Sequence, residues 1–178
     1  MSGSLRRILP WLAAALVVAG LDRWTKLLVL RGLQAGETIV VAPFFNLVLW
    51  FNSGAAFSFL AGGEAWQRAV LVAVAVAATI VIVWLLTRQP GDLLFCSGLS
   101  LILGGALGNL WDRIEHGRVV DFLLFHAGGY YWPAFNLADS AITLGAALVI
   151  LDGFLSKHTA APSERAADHS SPDDRSTP

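Results

Sequence analysis

Ala69-Val-Leu-Val-Ala-Val-Ala-Val-Ala-Ala-Thr-Ile-Val-Ile-Val-Trp-Leu-Leu86 carries no charged residue from end to end. A helix rises 1.5 Å per residue and the hydrocarbon core of a bilayer is about 30 Å thick, so roughly 20 apolar residues cross it. This stretch with its flanks, residues 67–87, therefore reads as a membrane span. Three further segments meet the same requirement, at about 8–30, 93–111 and 134–155. Composition agrees: 56% of the 178 residues are hydrophobic and 14% are charged, against about 25% charged in a soluble domain. Mean hydropathy is +0.63. The expected fold is mainly α and integral to the membrane, with four transmembrane helices forming one domain over residues 1–155. A net charge of −1 and the lack of a basic stripe with interleaved aromatics argue against a nucleic-acid partner.

The flanks give orientation. Arg6 and Arg7 precede the first span, Arg88 lies in the short turn before the third, and Lys157 follows the fourth. The positive-inside rule then puts both termini in the cytoplasm and both long connections, about 32–66 and 112–133, outside. Arg6-Arg7 followed by Ile8 to Gly20 has the form of a signal peptide. The apolar pattern resumes after Asp22, in Trp24 to Leu30, so one long retained helix is expected. In the first outer connection, Thr38-Ile-Val-Val-Ala and Phe45-Asn-Leu-Val-Leu-Trp-Phe51 flank Pro43 and read as short extracytoplasmic strands. The second outer connection reads as a loop. From Ser156 onward Ala, Ser, Pro and mixed charge predict a disordered cytoplasmic tail over 156–178. The single cysteine, Cys96, lies in an apolar run and reads as packing.

Polar groups that a bilayer penalises all fall toward one membrane face. Asp22 lies toward the outer end of span one, and Asn52 and Ser53 close the first outer connection. Asn109 and Arg113 end span three, Asp121 lies in the second outer loop, and Asn136 and Asp139 open span four. Gly105, Asn109 and Arg113 recur at i, i+4, i+8 and share one face, while Asn136 and Asp139 are i, i+3 neighbours. Gly104-Gly-Ala-Leu-Gly108 allows a neighbouring backbone to approach closely there. Carboxylates at such depth are costly and are kept for function. Two of them side by side do not both ionise easily, so Asp121 and Asp139 could share a proton and divide acid from base. The competing reading pairs them with Arg113 and Arg118 as buried ion pairs. Asp22 and Lys26, at i and i+4, could likewise neutralise each other, and Asn52-Ser-Gly54 could be only a turn. His116 and His126 lack metal-ligand spacing, so no metal site is expected. Arg118 and Glu115 read as a solvated loop face.

Five ordered motifs, Asp22-Arg-Trp-Thr-Lys26, Phe51-Asn-Ser-Gly-Ala-Ala-Phe-Ser58, Gly104 to Arg113, Gly117-Arg-Val-Val-Asp-Phe122 and Phe135-Asn-Leu-Ala-Asp-Ser-Ala141, resemble the lipoprotein signal peptidases, the type II signal peptidases of bacteria. The resemblance implies a four-helix inner-membrane aspartic peptidase with a small extracytoplasmic β-cradle between helices one and two. It implies Asp121 and Asp139 as catalytic residues, with Asp22, Lys26, Asn52, Gly54, Gly108, Asn109, Arg113 and Asn136 supporting the site or binding substrate. Its substrates are prolipoproteins bearing diacylglycerol on the lipobox cysteine, cut just before that residue near the periplasmic surface. Membrane phospholipid and globomycin-type inhibitors are the other implied partners. No metal or organic cofactor is implied, and a monomer is expected. Two other classes fit parts of the pattern. A proton-coupled transporter would place its carboxylates near the midplane of broken helices, often within repeats, and a non-enzymatic adaptor would not need two carboxylates in separate polar motifs. A presenilin-like protease would carry Gly-x-Gly-Asp, which is absent.

Overall fold

Among the described residues, long apolar runs punctuated by Gly, Pro and Asp give four helices, α1 (Gly3–Gly32), α2 (Glu64–Arg88), α3 (Leu93–Glu115) and α4 (Leu137–Thr159). Four strands lie between them, β1 (Thr38–Ala42), β2 (Phe45–Asn52), β3 (Val119–Ala127) and β4 (Tyr130–Tyr131). The computed structural model describes residues 3–54 and 64–159. The expected tail over residues 160–178 and part of the Phe51–Ser58 motif lie outside the described residues. Three helical stretches, Ala65–Arg88, Leu93–Glu115 and Leu137–Ser156, are long and apolar enough to cross a membrane. At 30 residues α1 has the length, and it carries Asp22, Arg23 and Lys26 within it.

The third helix organises the bundle and touches each of the others. Asp92 starts it: the side chain accepts a hydrogen bond from the Phe95 amide at 3.0 Å, satisfying one of the free N–H groups of the first turn. Small residues let α3 sit close to two neighbours. A β-carbon on Gly104 would strike the Ala15 carbonyl on α1, at 2.6 Å, and one on Gly105 would run into the Ala138 carbonyl on α4. Toward the end where the termini lie, Ile8, Ala15, Ile82, Leu86, Cys96, Leu99 and Leu103 form the apolar core. Cys96 is fully buried there, its thiol donating to the Gln89 carbonyl at 3.0 Å. Much of the remaining apolar surface, Leu16, Val74, Ile80 and Ile150 among it, is exposed, as befits helices whose solvent is lipid.

At the other end the strands form one antiparallel sheet in the order β1-β2-β3-β4. Two expectations are corrected here. The sheet is not confined to the connection between α1 and α2, because β3 and β4 come from the connection between α3 and α4. Asp121 is therefore a strand residue on β3, paired in register with Trp50, rather than a loop residue. Val119-Val-Asp-Phe-Leu-Leu-Phe is rich in β-branched and aromatic residues, and β2 supplies the edge it pairs with. Gly128 and Gly129, both at positive φ (57° and 83°), make the two-residue turn into β4. Val29 of α1, Leu49 of β2 and Val120 and Phe122 of β3 form a second apolar cluster that seats the sheet on the bundle.

Helix ends also differ from expectation. The third helix continues past 111 to Glu115, so Asp112 and Arg113 are helical. The fourth begins at Leu137, not 134, and runs to Thr159, so residues 156–159 are helix rather than tail. Its late start follows from pairing: the Phe135 carbonyl accepts the Phe122 and Leu123 amides at 3.0 and 2.9 Å, which holds Phe135 extended beside β3.

Candidate active site

The start of α4 collects the site. Asn136 caps it in a reciprocal arrangement, its side-chain oxygen accepting the Asp139 amide at 2.9 Å while its own amide donates to Asp139 Oδ2 at 3.3 Å. A third N-terminal donor, the Ala138 amide, is satisfied from α1 by Asp22 Oδ1 at 2.9 Å. The Asn136 side-chain amide then donates to Asp121 Oδ1 at 2.8 Å. One residue thus holds both expected catalytic carboxylates. Asp139 Oδ1 accepts from Asn109 Nδ2 at 2.8 Å, and Asp121 Oδ2 accepts from Asn52 Nδ2 at 3.0 Å. The Asn52 side-chain oxygen in turn accepts the Gly54 amide at 2.8 Å, and Gly54 sits at φ 95°, where a side chain is strained.

Behind the two carboxylates lies a buried ionic cluster. Lys26 is fully buried, and its ammonium reaches Asp22 Oδ2 at 2.8 Å, Asp112 Oδ2 at 2.8 Å and Asn109 Oδ1 at 3.0 Å. Three donors meet three acceptors, the condition for carrying a charge out of water. Gly108 makes room, since a β-carbon there would run into Asp22 Oδ2. Asp112 Oδ2 also accepts the Val120 amide at 3.1 Å, tying α3 to the strand that carries Asp121.

Every expected site residue, Asp22, Lys26, Asn52, Gly54, Gly108, Asn109, Arg113, Asp121, Asn136 and Asp139, lies in this one region. Asp22 and Lys26 do neutralise each other, and they also brace α4 and α3. Arg113 donates to the Asn109 carbonyl at 3.1 Å, and among the described residues no ion pair joins it to Asp121 or Asp139. Two participants were not singled out from the sequence, Asp112 and Arg23. The signal for Asp112 is helical spacing, i+3 from Asn109; Arg23 carries only that of a charge inside an otherwise apolar helix. Arg23 spans Asp112 at 3.7 Å and Glu115 at 2.6 Å, so Glu115 is paired on α3 and is not a loop residue.

Asp121 is 2% exposed, and burial pushes its carboxyl up to about 6, with the charge of Asp139 acting in the same direction. The Asn52 and Asn136 donors pull it the other way. A groove of about 630 Å³ leads from Asp139 along α4, lined by Trp132, Phe135, Thr143, Leu144 and Ala147. An apolar chain could lie along it with its polar end at Asp139. Among the described residues no group of three or more His, Cys, Asp or Glu is arranged to hold a metal ion.

The family model for signal peptidase (SPase) II matches residues 14–155. The chain is 52% identical over 143 residues to the lipoprotein signal peptidase of Paraburkholderia phymatum, covering 80% of this chain and 86% of that protein. It is 54% identical over 144 residues to that of Cupriavidus taiwanensis, covering 81% and 82%. A bacterial membrane enzyme solved by the in meso method at 2.3 Å resolution superposes with a TM-score of 0.73 at 31% identity, covering 88% of this chain and 93% of that one. A second, at 1.9 Å, gives 0.72 at 31% identity, covering 80% and 91%. With more than half of its residues shared with these peptidases over four fifths of its length, the chain belongs to the signal peptidase II family.

Proposed function

We propose that this multi-pass membrane peptidase, which removes signal peptides from prolipoproteins, does so by aspartic chemistry at Asp121 and Asp139. The carrying observation is that Asn136 hydrogen-bonds both carboxylates at once, at 2.8 and 3.3 Å. Burial favours the protonated form of Asp121. Asp139 lies in the first turn of α4, where its two oxygens accept from the Asn109 side chain and the Asn136 amide. The pair then holds one proton. Asp139 takes a proton from water as its oxygen attacks the scissile carbonyl carbon, while Asp121 gives its proton to the carbonyl oxygen. Collapse of the tetrahedral adduct breaks the C–N bond. Asp139 passes its proton to the leaving nitrogen, and Asp121 recovers one from the adduct's hydroxyl, restoring the starting state.

The bond cut is the one just before a diacylglyceryl-modified cysteine. The apolar groove from Asp139 suits a signal-peptide segment, and a lipid-facing bundle admits the diacylglyceryl chains without taking them through water. The orientation that fits is both termini in the cytoplasm, with the sheet and the carboxylates at the extracytoplasmic face of the bacterial inner membrane. The enzyme needs no metal or organic cofactor and acts as a monomer, and cyclic peptides of the globomycin type compete for the same cleft.

The test is cleavage of a synthetic prolipoprotein peptide bearing diacylglyceryl-cysteine by purified protein in detergent with lipid. Asp121→Asn and Asp139→Asn should each lower turnover at least about a hundredfold while remaining folded. EDTA should leave the wild type unaffected. Near-normal turnover by either variant removes that carboxylate from the mechanism. EDTA-sensitive cleavage would overturn the metal-free reading.

A further inference from the structure

Beside the site lies a basic concavity that the mechanism does not use. It measures about 520 Å³ and is lined by Phe51, Ala65, Arg68, His116, Gly117 and Arg118. Three elements deliver its basic side chains: Arg68 comes from the start of α2, His116 caps the end of α3, and Arg118 leads into β3. Gly117, at φ 73°, turns the chain between the last two. The Arg68 side chain lies over that turn, its Nη1 only 3.3 Å from where a β-carbon on Gly117 would stand. Among the described residues that line it there is no carboxylate. The neighbouring Glu115 is engaged by Arg23 at 2.6 Å and approaches His116 Nε2 at 3.8 Å.

We infer that this concavity binds the phosphodiester headgroup of an anionic membrane phospholipid. Depth argues for a lipid. Arg68 lies inside the spanning stretch Ala65–Arg88, and the uncharged run that faces lipid begins at the next residue. Trp66, 55% exposed, stands beside it, where interfacial aromatics sit at headgroup level. The anions abundant at that level are phosphates, and the planar guanidinium fork matches a phosphate with paired hydrogen bonds. Two guanidiniums favour a headgroup with net negative charge, such as phosphatidylglycerol, and the His116 ring offers a further hydrogen-bonding group. In phosphatidylethanolamine the ammonium offsets the phosphate. The acyl chains would then run down the exposed apolar face of α2. Phe51, which lines the concavity, immediately precedes Asn52, the donor to Asp121, so a bound lipid would adjoin the strand that holds the catalytic carboxylate.

Native mass spectrometry of the full-length protein, stripped of lipid in detergent, tests this without reference to cleavage. Titration with phosphatidylglycerol should give one tight adduct in preference to phosphatidylethanolamine. Arg68→Gln and Arg118→Gln should each weaken that adduct roughly fivefold, and together more, while Arg88→Gln at the opposite end of α2 should not. Glycerol phosphate and inorganic phosphate, which lack acyl chains, should bind far more weakly. Equal binding of free phosphate, lost in the same variants, would make this a soluble-anion site and overturn the lipid assignment. Equal binding of the two lipids by the wild type would overturn it too, and needs no variant to fold. An unchanged lipid adduct in the double variant, with KM raised only for precursors carrying acidic residues after the cysteine, would reassign the concavity to substrate.

Discussion

At the residue scale, Lys26 and Asp121 make opposite demands on a buried charge. Lys26 is a fully paired cation, so removing it leaves Asp22 and Asp112 buried with no ammonium between them. Lys26→Met should therefore destabilise the protein by about 3–5 kcal/mol, read as a lowered Tm in detergent. Unchanged Tm would mean that water or Arg23 compensates. Asp121 instead carries a proton more readily than an ordinary aspartate. Its folded value of about 6 lies above the usual 3.8, so stability linked to this group is complete below 3.8 and is lost as pH rises through about 6. Tm should fall over that window, and Asp121→Asn should flatten the fall. Activity shares the sign, since the acid is spent as the proton leaves. Asn52 donates to the ionised form, so Asn52→Ala should move the alkaline limb of kcat/KM to higher pH. A limb that moves down or stays put would separate it from Asp121.

At the scale of elements, the junction of β3, Phe135 and α4 sets the distance between the two carboxylates. Asn136 serves it twice, as helix cap and as bridge to Asp121. Asn136→Ser keeps a capping oxygen but is too short to span the gap. Its stability cost should stay within about 1 kcal/mol, while turnover falls at least about tenfold, roughly the worth of one lost buried hydrogen bond. A large Tm loss with normal turnover would make Asn136 only a cap. Helix contacts can be probed the same way. Gly108→Ala should disturb the Asp22–Lys26 pair and lower both Tm and activity, because its β-carbon meets Asp22. Gly20→Ala, on α1 with nothing within 4 Å, should be neutral or stabilising by up to about 1 kcal/mol. Equal effects of the two would remove close packing as the reason for Gly108.

At the scale of the molecule, the bundle gathers the Lys26 cluster and both expected catalytic carboxylates at one end, and on the proposed mechanism the orientation of that end decides where cleavage happens. In a Cys96→Ala background, a cysteine at His126 should react with a membrane-impermeant maleimide on intact spheroplasts, and one at Ser170 should not. The reverse pattern would invert the proposed orientation. On the proposed orientation, cleavage would take place where an apolar signal segment ends and water begins.

Long uncharged runs are legible without a partner, because a bilayer imposes its thickness on each segment alone. Residues 69–86 declare a span on that ground, and the spans of α2, α3 and α4 follow the same rule. Polar residues in such a setting are equally conspicuous, which is why Asp121, Asp139, Asn109 and Asn136 stand out in the sequence. Tertiary structure decided what joins them. Asp121 reads as a loop residue because its strand exists only once β2 offers an edge. Asp112 reads as one more charge at a helix end, and its burial against Lys26 depends on α1 packing on α3 through Gly104 and Gly108. Local composition reports each segment's solvent, whereas strand pairing, ion pairing and close helix contact are properties of two segments at once and are settled only when the chain folds.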